Sequence, residues 1–246
     1  VPVIAEGNGR WVKQALYYSY IMHRIPTQVG GLIESNHLYI NSASIVKLFT
    51  LAFSEGSRYN FDPGNTVILE VKDKSKYLYP KNMGDLDKWT SENSYYYELK
   101  VPRSQSDRLY QYMQQDLERY FGVDAGAEKR EILCLVLVKR GSISNLRSKG
   151  GISDTNINSA SGDTVCYFHN YTFKQILQKL EPFYSISLPT PLMDGTGYKG
   201  KVDIAFKRGA ATNLSILEKE LAKYNLYLVK KEWPAEVLVI REKGYK

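Results

Sequence analysis

The side chains of this chain best suited to chemistry are few and scattered. Asp194-Gly195-Thr196-Gly197 has the order of residues that carries the reacting carboxylate in aspartic proteases, where two such carboxylates share one proton. Only one such tetrad exists here, flanked by Pro189, Pro191 and Gly200, so a structural turn is the expectation. Asp194 would accept local backbone N–H bonds, glycines would supply positive φ, and the run would close at Asp203. Cys134 and Cys166 are the only cysteines, and they lie much too far apart for a C-x-x-C redox pair. Both sit in apolar, strand-like runs, so the expectation is two buried thiols acting as small hydrophobes. The alternative is one structural disulfide between them, as an oxidising compartment permits. His23, His37 and His169 stand apart from one another and from Cys/Asp clusters at metal-ligand spacing. They read as structural or surface residues, and no metal or other cofactor is implied. The sequence has no Gly-rich phosphate loop, no G-x-S-x-G and no H-E-x-x-H, so the standard enzyme classes have no foothold.

The elements that would position these residues must come from a chain of 246 residues with 43% hydrophobic and 24% charged side chains. With a mean hydropathy of -0.37, this describes a globular protein, not a collagen, coiled coil or disulfide scaffold. The length suits one large domain or two of roughly 100–120 residues. No stretch reaches the roughly 18 apolar residues of a membrane span. Lys+Arg 33 against Asp+Glu 26 leaves a net charge of +7. The basic groups are scattered: the densest clusters, Lys72 to Lys76 and Lys199 to Lys207, are interrupted by acidic or apolar residues. That argues against a phosphate-tracking surface. Tyr is abundant, at 20 residues, as half-buried strand faces and recognition surfaces require.

Internal similarity organises the chain. Asp116-Leu117-Glu118-Arg119-Tyr120 recurs in type as Glu220-Leu221-Ala222-Lys223-Tyr224. Leu135-Val136-Leu137 running to Gly141 parallels Leu238-Val239-Ile240 running to Gly244, and residues 38–45 parallel 166–173. Two related tandem modules are therefore predicted, 30–141 and 163–246, each reading strand, helix, strand pair, helix, strand pair. The fold class is α+β, with amphipathic helices packed on an antiparallel or mixed sheet. In the first module Ile45, Leu48, Phe49 and Ala52 form one apolar helix stripe, with Ser42 or Ser44 as cap. A second helix over 105–121 closes on Gly122, and Ile132 to Val138 reads as a central strand. In the second module helices are predicted over 172–181, stopped by Pro182, and over 213–224; strands are predicted at 200–207, 226–231 and 236–241. Residues 142–162, rich in Ser, Asn and Gly, read as a linker. Residues 73–94 read as an insertion exposed on the surface, and 1–29, with Trp11, Ala15, Tyr18 and Met22 at near-helical spacing, as an N-terminal segment or linker.

Several of these features together resemble the soil-associated bacterial domain of unknown function. Gly30-Gly31-Leu32 leads through Asn36 into Ser44-Ile45-Val46-Lys47-Leu48, and a strand ends in proline at Tyr97 to Pro102. A Met-containing helix then closes on Phe121-Gly122 and is followed by the hydrophobic strand Leu133 to Val138. The most specific signature, Asp-x-Thr-Gly-x-x-Gly-x-x-Asp, is matched by Asp194 to Asp203, with Gly195 where that family carries a basic residue. The resemblance implies an extracytoplasmic location, in the periplasm or cell envelope, in a domain that often follows a thioredoxin-like module. At module level it is similar to the short N-terminal domains of secretins and TonB-dependent receptors, which act in protein contacts. No catalytic residue follows from it. The leading functional expectation is a non-enzymatic interaction module that binds a protein or an envelope polymer through exposed aromatics at Tyr77, Tyr79, Trp89, Tyr95 and Tyr96. The alternative is an accessory domain positioning substrate for an attached thiol-disulfide oxidoreductase. Nucleic-acid binding, resting on the charge and the tyrosines, is the third.

Overall fold

The computed structural model describes residues 15–23, 30–54, 61, 65–157, 165–184 and 190–244. In chain order its main elements begin with strands β1 (Tyr18–His23), β2 (Gly31–Ile33) and β3 (His37–Ser44), helix α1 (Ile45–Ser54) and strand β4 (Val67–Glu70). Helix α2 (Leu86–Asn93), strand β5 (Ser94–Lys100), helix α3 (Leu109–Phe121) and strand β6 (Val123–Lys139) follow. The remainder comprises β7 (Asp154–Asn156), β8 (Val165–Tyr171), α4 (Phe173–Tyr184), β9 (Leu192–Asp194), β10 (Val202–Lys207), α5 (Leu214–Ala222) and β11 (Leu226–Glu242). The class is α+β. The chain forms two compact units that are discontinuous in sequence: 1–63, 67–128 and 237–246 make the first, 64–66 and 129–236 the second.

In the first unit an antiparallel sheet has the order β1-β5-β3-β2. Helix α1 forms because Ile45, Leu48, Phe49 and Ala52 recur at spacings of three and four and are all buried, and Ser44 Oγ accepts the Lys47 N–H at 3.2 Å. Helix α3 presents Leu109, Met113 and Leu117 on one stripe and stops at Gly122, whose φ of 67° continues no helix. These two stripes pack on Leu38, Tyr97 and Leu99 of the sheet. The C-terminal part of β11 completes the core, pairing parallel with β4 at Leu238↔Val67 and Ile240↔Leu69.

The second unit has its own sheet and helices. Its antiparallel sheet runs β10-β8-β7. Helix α4 buries Phe173, Ile176, Leu177 and Leu180, while α5 buries Leu217 and Leu221 and is capped by Asn213 Oδ1 accepting from the Ile216 N–H at 3.2 Å. Both pack on Phe168, Ile204 and Phe206, and β9 pairs parallel with β6 at Leu135↔Leu192.

Backbone exceptions fall in matching places. The β3–β5 register shifts between Ile40 and Ala43, and the β8–β10 register shifts at the step from Phe168 to Tyr171. Inside these steps lie Ser42 at φ 58° and Asn170 at φ 60°, a left-handed conformation that non-glycine residues seldom adopt. Each is followed within three residues by the helix start, at Ile45 and Phe173.

Five local expectations change. Residues 226–231 and 236–241 are not two strands: β11 runs unbroken through Trp233-Pro234, since proline is compatible with extended backbone and lacks only a donor. Helix α4 continues through Pro182 to Tyr184, because a proline in the last turn removes one bond at an end that frays anyway. The near-helical spacing before residue 23 gives way to strand β1, held by pairing with β5 from Tyr18↔Lys100 to His23↔Tyr95; Trp11 lies outside the described residues. Residues 73–94 are not a bare surface excursion, since α2 packs against β1, β3 and β5. Within 142–162, Ile143 and Leu146 enter the core of the second unit and β7 joins its sheet.

Candidate functional site

The aromatic patch expected at the insertion does not assemble as an exposed surface. Trp89 is 8% exposed and Tyr96 fully buried, while Tyr77 and Tyr95 pack at the margin of the first unit's core. Only Tyr79, at 62% exposure, stands in solvent, its ring 4.7 Å from that of Trp89. The cause is the packing of α2: Trp89 turns inward and its indole N–H donates to Ser75 O at 2.6 Å, as a buried indole requires.

Next to Tyr96 on β5 is the most deeply buried acid of this unit. Tyr18 and Tyr96 donate their hydroxyls to the Glu98 carboxylate at 2.6 and 2.5 Å, and His37 Nε2 lies 2.9 Å from it. Burial first, and then the bond to Glu98, pushes the Tyr18 phenol far above its ordinary range. The carboxylate is thus consumed in holding three strands together.

A groove of about 370 Å³ lies between strand β1 and helix α3, lined by Ser19, Tyr20, Ile21, Tyr97, Asp116, Arg119 and Tyr120. Its floor is polar. Tyr97 donates to Asp116 Oδ2 at 3.0 Å, and Arg119, one helical turn on, donates to Asp116 Oδ1 at 2.8 Å. Burial and then the Asp116 charge raise the Tyr97 phenol well above its ordinary value. The Arg119 side chain is 79% exposed although its partner is buried, and Tyr120 is 54% exposed.

The second unit uses the related residues differently. There Glu220 accepts from the main-chain N–H of Lys207 at 3.0 Å and from Lys223 Nζ at 2.6 Å, and Tyr224 donates to Ala205 O at 2.8 Å. Lys207 and Ala205 belong to β10, the end strand of its sheet, so acid and tyrosine seal a strand edge that would otherwise offer unpaired main-chain groups. In the first unit β5 already has β1 beside it, and Asp116 turns to the Tyr97 hydroxyl instead. Sequence reasoning saw the recurrence of Asp116–Tyr120 in Glu220–Tyr224 but took it only as a mark of repetition. The acid, the cation three positions later and the following tyrosine were the signal for this site.

The remaining candidates serve architecture. Asp194 Oδ1 accepts the Thr196 N–H and hydroxyl at 2.9 and 2.7 Å, and Thr196 Oγ1 accepts the Tyr198 N–H at 3.1 Å. Gly197 takes φ 69°; at Gly195 a Cβ would come within 2.5 Å of Val136 Cγ1, and Gly200 lies against the Tyr198 ring. Asp203 is outside this turn, on β10. It accepts the Asn170 and Lys149 N–H groups at 2.8 and 3.2 Å and lies 3.0 Å from His169 Nδ1. Burial pushes its carboxyl up, but the Ser148 side chain first, and then these bonds, hold it below the usual range. Cys134 and Cys166 are both free and buried, so the disulfide alternative is corrected. Burial drives each thiol up to about 11, carboxylates Glu181 and Glu131 adding to the effect at Cys134. Among the described residues no group of three or more His, Cys, Asp or Glu side chains is arranged to hold a metal ion, and no helix is long and apolar enough to cross a membrane. The chain matches no family model, no curated protein and no solved structure.

Proposed function

We propose that this chain is a non-enzymatic interaction module working outside the cytoplasm, two copies of one αβ unit of which the first carries the contact surface. The observation that carries the reading is the β1–α3 groove: side chains whose counterparts seal a strand edge in the second unit here line an open cleft with an exposed arginine and tyrosine. Arg and Tyr are the residue types that concentrate binding energy at protein surfaces. The partner is a protein or an envelope polymer, and the extracytoplasmic setting follows the resemblance of the Asp194–Asp203 run.

The test replaces Tyr120 or Tyr79 by a photo-crosslinking phenylalanine in the native host. Adducts of discrete mass are expected from position 120 and not from position 79, and they should disappear when Arg119→Glu is added. Adducts from position 79 alone would return the contact surface to the insertion and end this reading. Fractionation of the same cells, with the protein found only among cytoplasmic proteins, would end the assignment of compartment.

A further inference from the structure

We infer that the groove binds an uncharged glycan, with one sugar ring lying against Tyr120 and its hydroxyls on Asp116 and Arg119. This rests on the proposed role of the groove and names the class of ligand it takes.

Position comes first. Ile21 stands opposite Tyr97 in the pairing of β1 with β5, and Ser19, two residues before Ile21, shares its side of the sheet. The cleft that these residues line therefore lies over the sheet face beneath α3. An occupant meets side chains there, and selection must come from them.

Charge comes next. Asp116 is 9% exposed and takes one donor on each oxygen, from Tyr97 at 3.0 Å and from Arg119 at 2.8 Å. Acid and guanidinium balance each other, so the cleft favours neither an anion nor a cation. The pair is nevertheless not saturated, since a carboxylate has about four lone-pair sites and a guanidinium five N–H donors. Acceptor and donor positions thus lie side by side without net charge. A hydroxyl both donates and accepts, so neighbouring hydroxyls on one neutral ring match this pair better than a carboxylate, a phosphate or an amine does.

Tyr120 supplies a flat wall. Its ring is 54% exposed and is held edge-to-face by Phe121 and Tyr95, at centroid distances of 5.0 and 6.4 Å. Its orientation is thus set before a ligand arrives, which lowers the cost of binding. The face of an aromatic ring is its negative part and suits the weakly positive C–H groups on one side of a sugar ring. The fold does not itself demand such a wall: the counterpart Tyr224 spends its hydroxyl on Ala205 O, and Glu220 accepts from the Lys207 N–H. At about 370 Å³ the groove falls within the roughly 300–1,000 Å³ of small-ligand sites.

The experiment titrates the intact chain by calorimetry with four uncharged tetrasaccharides, cellotetraose, maltotetraose, mannotetraose and tetra-N-acetylchitotetraose, and with the charged tetramers of galacturonate and glucosamine. Binding of at least one uncharged tetrasaccharide is expected, tighter than either charged one and equal at about 0.05 M and about 0.5 M NaCl. The chitotetraose arm separates amino-sugar glycans from plain hexose polymers. Tyr120→Ala and Arg119→Ala, both exposed changes checked for folding by circular dichroism, should each weaken that tetrasaccharide about tenfold, while Tyr120→Phe, which keeps the ring, should stay within about twofold. Absence of binding by all four overturns the inference, as does preference for a charged tetramer, steep weakening by salt, or affinity indifferent to Tyr120→Ala and Arg119→Ala. Protein crosslinks from position 120 in a chain that binds none of the sugars would remove the glycan and leave the interaction module standing.

Discussion

Glu98 is buried, and it is tolerated because hydroxyls of Tyr18 and Tyr96 and the His37 ring meet its two oxygens. Glu98→Gln keeps the shape but places an amide N–H₂ against a hydroxyl donor. A loss of about 1–3 kcal/mol in urea unfolding is expected, and adding Tyr96→Phe should cost less in the variant than in the native chain. The thiols give a second test. With Cys134 and Cys166 raised to about 11 by burial, iodoacetamide at neutral pH should leave both unmodified in the folded chain and label both in urea, as mass spectrometry would show. Glu220 titrates below its ordinary range because Lys223, and then the Lys207 N–H, hold its charged form. A depressed folded value means stability that is present above the ordinary carboxylate range and lost as pH falls through the depressed value. Glu220→Gln should therefore unfold at lower urea than the native chain near neutral pH, and the difference should shrink between about pH 5 and pH 3. Buried acids of this kind were not legible in the sequence, where Glu98 is one charged residue in a tyrosine-rich strand. Only the arrival of β1 and β3 on either side shows its partners.

At the level of elements, local pattern was a good guide wherever one stripe or one cap decides. The helices at 45, 109, 173 and 214 follow apolar spacings of three and four, and Asn213 and Gly122 mark a start and a stop by their own side chain or backbone freedom. Pattern misled where pairing decides. Strand β1 owes its existence to β5, and β11 crosses a proline that reads locally as a break. Ser42 is a sharper case: nothing in its neighbourhood announces φ 58°, yet it lies where the register between β3 and β5 shifts. Because its side chain is exposed, Ser42→Gly should raise stability by up to about 1 kcal/mol, and Ser42→Val should lower it by more than that, in thermal or urea unfolding.

Over the whole chain, β6 and β11 each contribute one stretch to each compact unit. Leu238 and Ile240, in the C-terminal part of β11, are buried in the core of the first unit and not of the second. Removing residues 237–246 should accordingly strip hydrogen-exchange protection from β3, β5 and α3 while the second unit is affected less; loss of protection confined to β8 and β10 would contradict this division. The amino-acid sequence by itself determined the α+β class, the amphipathic helices, the Asp194 turn and the recurrence of the acid–cation–tyrosine segment. Each of these depends on neighbours within a few positions, where periodicity and side-chain chemistry act directly. The tertiary structure alone decided which strand lies beside which, and so which copy of that segment seals an edge and which lines a groove. That choice depends on whether a distant strand, β1 in one unit and none among the described residues in the other, arrives to pair with the exposed main chain.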